Sequence, residues 1–319
     1  MCFKNPAASS FLLVFLLLAF PGATARAEPL LPEEHVRVLL EQVAREESTA
    51  AWTTVRVDSI RQVEQSPLQI YSTGLQPVWH AKFTTKEGAT GHLLWEITPP
   101  GRLIEFALDS PHPGPYAHHV AGVPNLQQFP VPGKTAALVA SGCVPTSGAD
   151  LIGYWIGKGM PHWAEGKARE LPLAAEELKA ITLRLRSRMP MQEFPDEAGY
   201  TENKMPLSGA MTRDLARAIR EDAAAHGVKV KVEVEKFSME TVRREIEAGH
   251  PLVLTCTVRL PHKPSLSWQH AIAGVAWRTI DGAEFVGVHD NFFPVKNLRT
   301  IRWIRADAFR ELMVVVPEG

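Results

Sequence analysis

The stretch SGCVPTSGAD at residues 141–150 places a cysteine two residues before a proline, and the apolar residues that follow recur at helical spacing. This pattern predicts that a helix begins at or just after Cys143. Unpaired N–H groups and the helix dipole stabilise an anion at such a position, which favours the thiolate form of the cysteine. The stretch therefore indicates a reactive thiol, with a small buried residue that caps the helix as the alternative.

Two predicted strands downstream carry the partners that a reactive thiol needs. They run over residues 270–277 and 284–289, and an Asp-Gly turn dipeptide lies between them. Because a hairpin brings the start of its first strand beside the end of its second, we expect His270 and Asp290 at the same end. An acid that accepts from one ring nitrogen leaves the other nitrogen free to take the cysteine proton. Asn291 could orient the imidazole instead, since strand alternation allows only one of the two to point correctly.

Three more residues lie on or next to the predicted strand that carries His270. Trp268 and Gln269 come directly before the histidine and are candidates for lining a substrate cleft. After residue 27 the chain keeps only Cys143 and Cys256, so it is not a disulfide scaffold. Cys256 lies in a predicted buried strand over residues 251–259. There it either packs in the core or forms a bridge to Cys143.

The region upstream of the thiol has a different organisation. Pro32, Glu33 and Glu34 open a predicted helix in which apolar residues recur at helical spacing. Short runs of β-branched and aromatic residues then predict an antiparallel sheet, at residues 52–57, 69–72, 78–84, 92–97 and 103–107. Six prolines between residues 111 and 132 disfavour both helix and strand, and they predict a domain boundary.

Downstream of this boundary, predicted helices come first and strands come last. The helices after Cys143 are expected at residues 174–188, 210–226 and 239–248. The strands are expected at residues 228–235, 251–259, 270–277, 284–289 and 312–316. This order is typical of an α+β fold. We therefore divide the chain into a signal peptide (1–27), an N-terminal α+β domain of propeptide-like or accessory type (28–110), a proline-rich linker (111–133) and a second domain (134–319).

The N-terminus has the pattern of a secretory signal peptide. Lys4 precedes an unbroken apolar run over residues 11–20, and Ala25 and Ala27 mark a cleavage site. The run is shorter than the roughly 20 residues that span a bilayer, so we expect a secreted or periplasmic protein without a membrane anchor. Removal of residues 1–27 leaves 32 Lys and Arg against 35 Asp and Glu, a net charge of about −3. This charge does not attract nucleic acid.

From about Gln127 to Val316 the chain resembles the papain-like cysteine peptidases of the bacterial double-glycine leader peptidase type, including their stand-alone relatives. The resemblance rests on the order and spacing of Cys143 with Pro145-Thr146, Gly153-Tyr154-Trp155, Glu245 to Pro251, His270 through Gly274, Asp290, and Ile304 to Leu312 with Phe309. It implies a papain-like fold preceded by a small domain of one helix and an antiparallel sheet. It also implies a cofactor-independent thiol hydrolase that acts on a peptide or protein substrate.

Two positions depart from that family, and one of them is Val144, where relatives often have glycine. Enzymes of this type usually carry a glutamine about six residues before the cysteine, and its side chain donates to the oxyanion. Here that position is Ala137, and the nearest glutamines are Gln127 and Gln128. The main-chain N–H of Cys143 still supplies one donor. The departure at Ala137 keeps a non-catalytic binding or scaffold module open, and an acyltransferase would use the same residues as a hydrolase.

Histidines outside this constellation suggest structural roles. His112, His118 and His119 lie close together in the linker, but their spacing fits no standard zinc site, so we expect no bound metal. His289 is expected to point to the strand face opposite Asp290. The sequence does not indicate an oligomeric state.

Overall fold

The structure is a computed structural model that describes residues 32–47, 55–63, 78–97, 101–109, 118–134, 136–164, 173–194, 206–260, 263–291 and 301–318. The predicted signal peptide and the predicted strand at residues 69–72 lie outside these ranges. The described part is a mixed helix and antiparallel-sheet protein, which confirms the α+β prediction.

The described ranges contain five α-helices. They are α1 Pro32–Glu47, α2 Cys143–Gly157, α3 Ala175–Ser187, α4 Thr212–Ala225 and α5 Met239–Glu247. Each lies within two residues of a predicted start, because proline, acidic residues or a serine cap mark those starts in the sequence. In α1 the apolar stripe is buried as its spacing predicts, at Val36, Leu39, Leu40 and Val43.

The described ranges also contain fourteen strands. They are β1 Val55–Val63, β2 Val78–Thr85, β3 Thr90–Glu96, β4 Leu103–Asp109, β5 Pro130–Pro132, β6 Leu138–Ala140, β7 Gln192–Phe194, β8 Leu207–Gly209, β9 Val230–Lys236, β10 Leu252–Leu260, β11 Lys263–Ile280, β12 Ala283–His289, β13 Arg302–Arg305 and β14 Phe309–Pro317. The sequence did not predict β5 to β8 or β13. Strand β11 also begins before the predicted start at residue 270.

One ten-stranded sheet organises the molecule, in the order β1-β2-β3-β4-β13-β12-β11-β10-β14-β9. All neighbouring strands in it are antiparallel. Helix α2 packs on β11 and against α3 and α4, so its first turn lies close to the strand that carries His270. Two smaller ribbons, β5-β6 and β7-β8, lie beside this helix layer.

The large sheet crosses the predicted domain boundary. Strand β4 pairs with β13, with Phe106 opposite Trp303 and Glu105 opposite Ile304. The Phe106 ring stacks on Trp303 and meets Phe285 edge-on, so a single buried core includes residues from both sides. The division of the chain into independent folding domains remains a prediction.

The end of the proline-rich segment is a strand, which corrects the expectation that neither helix nor strand forms there. Pro130–Pro132 pairs with Leu138–Ala140, with Val131 opposite Val139. Val131 is the only residue of β5 that has a backbone N–H. A two-stranded ribbon tolerates the flanking prolines because little ladder hydrogen bonding is lost. No helix within the described ranges is long and apolar enough to cross a membrane.

Candidate active site

Cys143 is the first residue of α2, as the sequence predicts. Gly142 precedes it with φ 97° and ψ 139°, a backbone conformation that essentially only glycine adopts. A Cβ built on Gly142 would lie 2.9 Å from Met191 Cε and 3.2 Å from the Ser208 carbonyl oxygen. The chain therefore turns sharply into the helix at a place where only glycine fits, and the turn presents the thiol at the helix N-terminus.

His270 and Asp290 lie together at one end of the β11-β12 hairpin. The His270 Nε2 and Asp290 Oδ1 atoms are 3.0 Å apart, and both side chains are almost fully buried. The His270 side chain also hydrogen-bonds to the Cys143 thiol. Since Nε2 faces the carboxylate, Nδ1 is the ring nitrogen left for the thiol. The structure thus brings the three predicted residues into contact in the order cysteine, histidine, aspartate.

The electrostatics of the pair favour a thiolate beside an imidazolium. Burial raises the pKa of Cys143, but the hydrogen bond and charge of His270 lower it, as do the backbone N–H groups of Ala271 and Val144, and the net direction is downward. Burial lowers the pKa of His270, but Asp290 and Cys143 raise it, to about 9 in all. Each member of the pair therefore stabilises the charged form of the other.

The sequence left open whether Asn291, instead of Asp290, orients the His270 imidazole. The Asn291 amide nitrogen hydrogen-bonds to other groups. This Nδ2 atom lies 3.1 Å from the Cys143 carbonyl oxygen, 2.8 Å from Ser147 Oγ and 2.9 Å from the Ala271 carbonyl oxygen. Its amide group therefore ties the first turn of α2 to β11. Of the two candidates for orienting the histidine, Asp290 is the one whose side chain reaches it.

Gln128 is a site residue that sequence reasoning missed. The β5-β6 hairpin pairs Pro130 with Ala140, and the Ser141 N–H donates to the Phe129 carbonyl oxygen at 2.8 Å. The hairpin thereby folds the chain back and brings Gln128 to the cavity that Cys143 lines. One amide hydrogen of Gln128 goes to Asn291 Oδ1 at 2.9 Å.

An amide nitrogen has two hydrogens, so the bond to Asn291 uses one of the two that the Gln128 side chain carries. The sequence signal for this placement is the turn dipeptide Pro132-Gly133 between two short apolar runs. The prolines predicted a linker at this place, whereas the structure has a hairpin. Gln127 makes different contacts, since its side chain donates to the Asp290 carbonyl oxygen at 3.1 Å and to Asn125 Oδ1 at 3.3 Å.

A cavity of about 500 Å³ opens beside the thiol. Its lining includes the polar and charged residues Gln128, Gln192, Ser208, Gln269, His270, Arg213 and Asp214, together with Cys143. Apolar residues also line it, at Pro190, Phe194, Leu207, Ala210 and Met211. Strand β8 lines the cavity through Leu207, Ser208 and Gly209, and β7 through Gln192 and Phe194, so the small β7-β8 ribbon shapes this space.

The other sequence candidates fall into three groups. Gln269 is exposed and lines the cavity, whereas Trp268 pairs through its backbone with Val258 and its side chain lies outside the described residues. Cys256 and Cys143 are both free thiols, which excludes the bridge between them in this structure. The His289 Nδ1 atom lies 3.0 Å from the Pro124 carbonyl oxygen, and burial lowers the pKa of this imidazole to about 4.

The linker histidines that the structure describes also have structural contacts. His118 stacks on Trp277 with ring centres 3.9 Å apart, and His119 forms a β-bridge with Ala276. His112 lies outside the described residues. Among the residues described, no group of three or more His, Cys, Asp and Glu side chains could hold a metal ion.

Fold and site together define an α+β protein with a buried cysteine-histidine-aspartate constellation at the start of a helix. No known protein-family model matches this chain, and no curated protein matches it significantly. The function must therefore be argued from the site itself.

Proposed function

We propose that this protein is a secreted or periplasmic thiol hydrolase of papain-like fold, which cleaves a peptide or amide bond through an acyl-enzyme. The observation that carries the proposal is the hydrogen-bonded series Cys143, His270, Asp290 at the N-terminus of α2. A thiol whose pKa is raised by burial alone would be inert. Here the lowered pKa of Cys143 supports a nucleophilic role.

The chemical steps follow from these positions. The Cys143 thiolate attacks the carbonyl carbon and forms a C–S bond, while the carbonyl electron pair moves to oxygen. The main-chain N–H of Cys143 and the Gln128 amide are the proposed donors to that oxyanion. The imidazolium of His270 gives its proton to the nitrogen of the leaving amine as the C–N bond breaks. In the second half, His270 takes a proton from water and the hydroxide attacks the thioester carbonyl carbon. The C–S bond then breaks, the carboxylic acid product leaves, and the thiolate and imidazolium are regenerated.

The wall of the cavity supports a substrate class. Phe194, Leu207 and Met211 line the same cavity as Cys143, so the proposed substrate carries an apolar side chain. The non-catalytic alternative rested on Ala137 at the usual glutamine position. Gln128 offers an amide donor from another point in the sequence, so the alanine at position 137 no longer argues for an inactive protein.

The proposal is tested by replacing Cys143 with alanine and measuring cleavage of a peptide library by mass spectrometry. We expect turnover to fall by about 10⁴-fold or more, because the nucleophile is lost. Cys256→Ala is the matched control, since this thiol is also buried but lies on β10 with a raised pKa, and it should retain turnover. Undiminished cleavage by the Cys143→Ala variant would overturn the proposal. An unreactive Cys143 thiol in the native protein, with no library member cleaved, would favour the binding module.

A further inference from the structure

A buried chain of charges continues beyond Asp290. Arg302 Nη1 donates to Asp290 Oδ2 at 2.5 Å, on the carboxylate oxygen that does not face His270. The same guanidinium donates from Nε and Nη2 to the two oxygens of Glu105, at 2.5 and 2.8 Å. His92 Nε2 lies 2.9 Å from Glu105 Oε1. Arg302 therefore bridges two carboxylates, one in the site and one in the N-terminal strand β4.

These groups are shielded from water. Glu105 is 1 % exposed, Asp290 2 % and Arg302 4 %. An unpaired charge so deeply buried is strongly unfavourable, so each group depends on its neighbours for compensation. Burial raises the pKa of Glu105, but Arg302 and His92 lower it, and the net direction is downward, which keeps this carboxylate ionised. Glu105 therefore neutralises part of the positive charge of Arg302, which would otherwise act on Asp290 alone.

We propose that the Arg302-Glu105 ion pair is a positioning element of the active site: it holds the Asp290 carboxylate in register with His270 and sets how strongly that carboxylate supports the imidazolium. The inference rests on the proposed function for its catalytic meaning. It assigns the strands before residue 110 a part in the site, whereas a removable propeptide would leave the acid without this support. Neither residue touches the reacting atoms, so both act through Asp290.

The sign of the effect follows from the charges around His270. The charged and titratable groups that face His270 or its acid are Cys143 on α2, Cys256 on β10, Asp290 after β12, Arg302 on β13, and Glu105 with His92 on β4 and β3. Neutralising Glu105 leaves the positive charge of Arg302 uncompensated beside Asp290. The carboxylate then attracts the imidazolium less, so the pKa of His270 falls.

The experiment compares Glu105→Gln with native enzyme by two pH profiles, that of kcat/KM and that of Cys143 alkylation by iodoacetamide. We expect the alkaline limb of kcat/KM, and the matching inflection in alkylation, to move down by about one pH unit. Glu96→Gln is the matched control, because Glu96 pairs with Arg102 and Arg305 in the same sheet and should leave both profiles unchanged. A folded Glu105→Gln variant with native profiles overturns the proposal.

A second variant covers the case in which Glu105→Gln does not fold. The double replacement of Glu105 by Gln and Arg302 by Met removes both charges together, and such neutral replacements of buried pairs are often tolerated. We expect its alkaline limb not to move down, because the positive charge next to Asp290 is removed together with Glu105, while kcat/KM falls about 10-fold, because Asp290 has lost its anchor. Native kcat/KM in the folded double variant would contradict the proposal. If the native enzyme cleaves no peptide, the alkylation profiles still test the ion pair, so the two proposals fail separately.

Discussion

In the proposed mechanism, four side chains at the site divide into those that react and those that hold the reacting groups. Cys143 and His270 form the charged pair, and Asp290 keeps the imidazole oriented through its Nε2 atom. Asn291, one residue further on, serves the backbone instead and fixes the start of α2. Adjacent residues at a strand end thus have distinct roles because their side chains leave the chain in different directions.

Removal of the Gln128 side chain tests its role as an oxyanion donor. For Gln128→Ala we expect kcat/KM to fall by about 10²- to 10³-fold, the loss typical of one oxyanion donor. Alkylation of Cys143 should change little, because the thiolate is stabilised by other groups. Peptide cleavage and iodoacetamide labelling measure the two effects separately.

Gln127→Ala is the control for that variant. Its side chain is also half-buried and donates hydrogen bonds, to Asn125 and the Asp290 carbonyl oxygen, but it does not line the cavity. We expect its kcat/KM to remain within a few-fold of native. Equal losses for both variants would show that Gln128 acts only by packing.

The charged pair predicts a bell-shaped pH dependence. Activity requires the thiolate and the imidazolium together, so it should fall at high pH as His270 deprotonates near its raised pKa of about 9. At low pH it should fall as Cys143 takes up a proton, at a pKa below the ordinary 9.0 of a thiol. Measurement of kcat/KM across pH checks both limbs. An alkaline limb near 6.5, the ordinary value for histidine, would mean that Asp290 and Cys143 do not support the imidazolium.

The same shifts have opposite effects on stability at the two ends of the pH range. His270 has a raised pKa in the folded state, so its contribution to the free energy of unfolding is complete below about 6.5 and is lost as pH rises through about 9. Cys143 has a lowered pKa, so its contribution is present above 9.0 and is lost as pH falls through its folded value.

At the scale of elements, the start of α2 depends on a backbone turn rather than on a side-chain cap. Gly142 makes no side-chain hydrogen bond, and Thr146 instead donates from its hydroxyl to the Gly142 carbonyl oxygen at 2.7 Å. Pro145 lacks an N–H and so leaves one donor fewer to satisfy in the first turn. The Thr146 N–H donates to the Gly142 carbonyl oxygen at 3.3 Å, and the Val144 N–H stabilises the Cys143 thiolate. This leaves the Cys143 N–H at the helix start as the group that could donate to another anion.

Gly142→Ala should destabilise the protein and displace the thiol. Forcing alanine into this conformation costs about 1–3 kcal/mol, and Met191 and the Ser208 carbonyl must also move. Gly159→Ala is the matched control, since Gly159 lies two residues after the end of the same helix, with φ 105°, but has open space around it. Denaturant unfolding should show a larger loss for Gly142→Ala, and Cys143 alkylation should slow in that variant alone. Equal stability losses and equal labelling would contradict this account.

At the scale of the whole molecule, the continuous sheet links the N-terminal strands to the site. Phe106 is fully buried against Phe285 and Trp303, which belong to the other side of the predicted boundary. Phe106→Ala should therefore lower the free energy of unfolding by about 3–5 kcal/mol, as large-to-small changes in a core do. Both parts should still unfold in one transition.

Calorimetry of the native protein and the Phe106→Ala variant measures this directly. Val57→Ala is a suitable control, because Val57 is on β1 in the same N-terminal strands but is 40 % exposed, and its loss should be small. Two separate transitions in the native protein would indicate that the parts on either side of residues 111–133 are independent domains.

Much of the site follows from local sequence. The glycine and proline around Cys143 specify a helix start, and the Asp-Gly turn specifies a hairpin that brings His270 and Asp290 together. Neither depends on distant parts of the chain. For this reason the amino-acid sequence alone predicts both.

The tertiary structure alone decided which other groups support them. Gln128 reaches the cavity through a hairpin whose prolines look, in the sequence, like those of a linker. Asp290 rather than Asn291 reaches the imidazole. Arg302 lies on β13, which pairs with β4, the strand that carries Glu105. Turns and helix starts are encoded by neighbouring residues through their backbone preferences. The pairing of β4 with β13 and the side on which a side chain leaves a strand end depend on packing between segments far apart in sequence, which a local pattern does not contain.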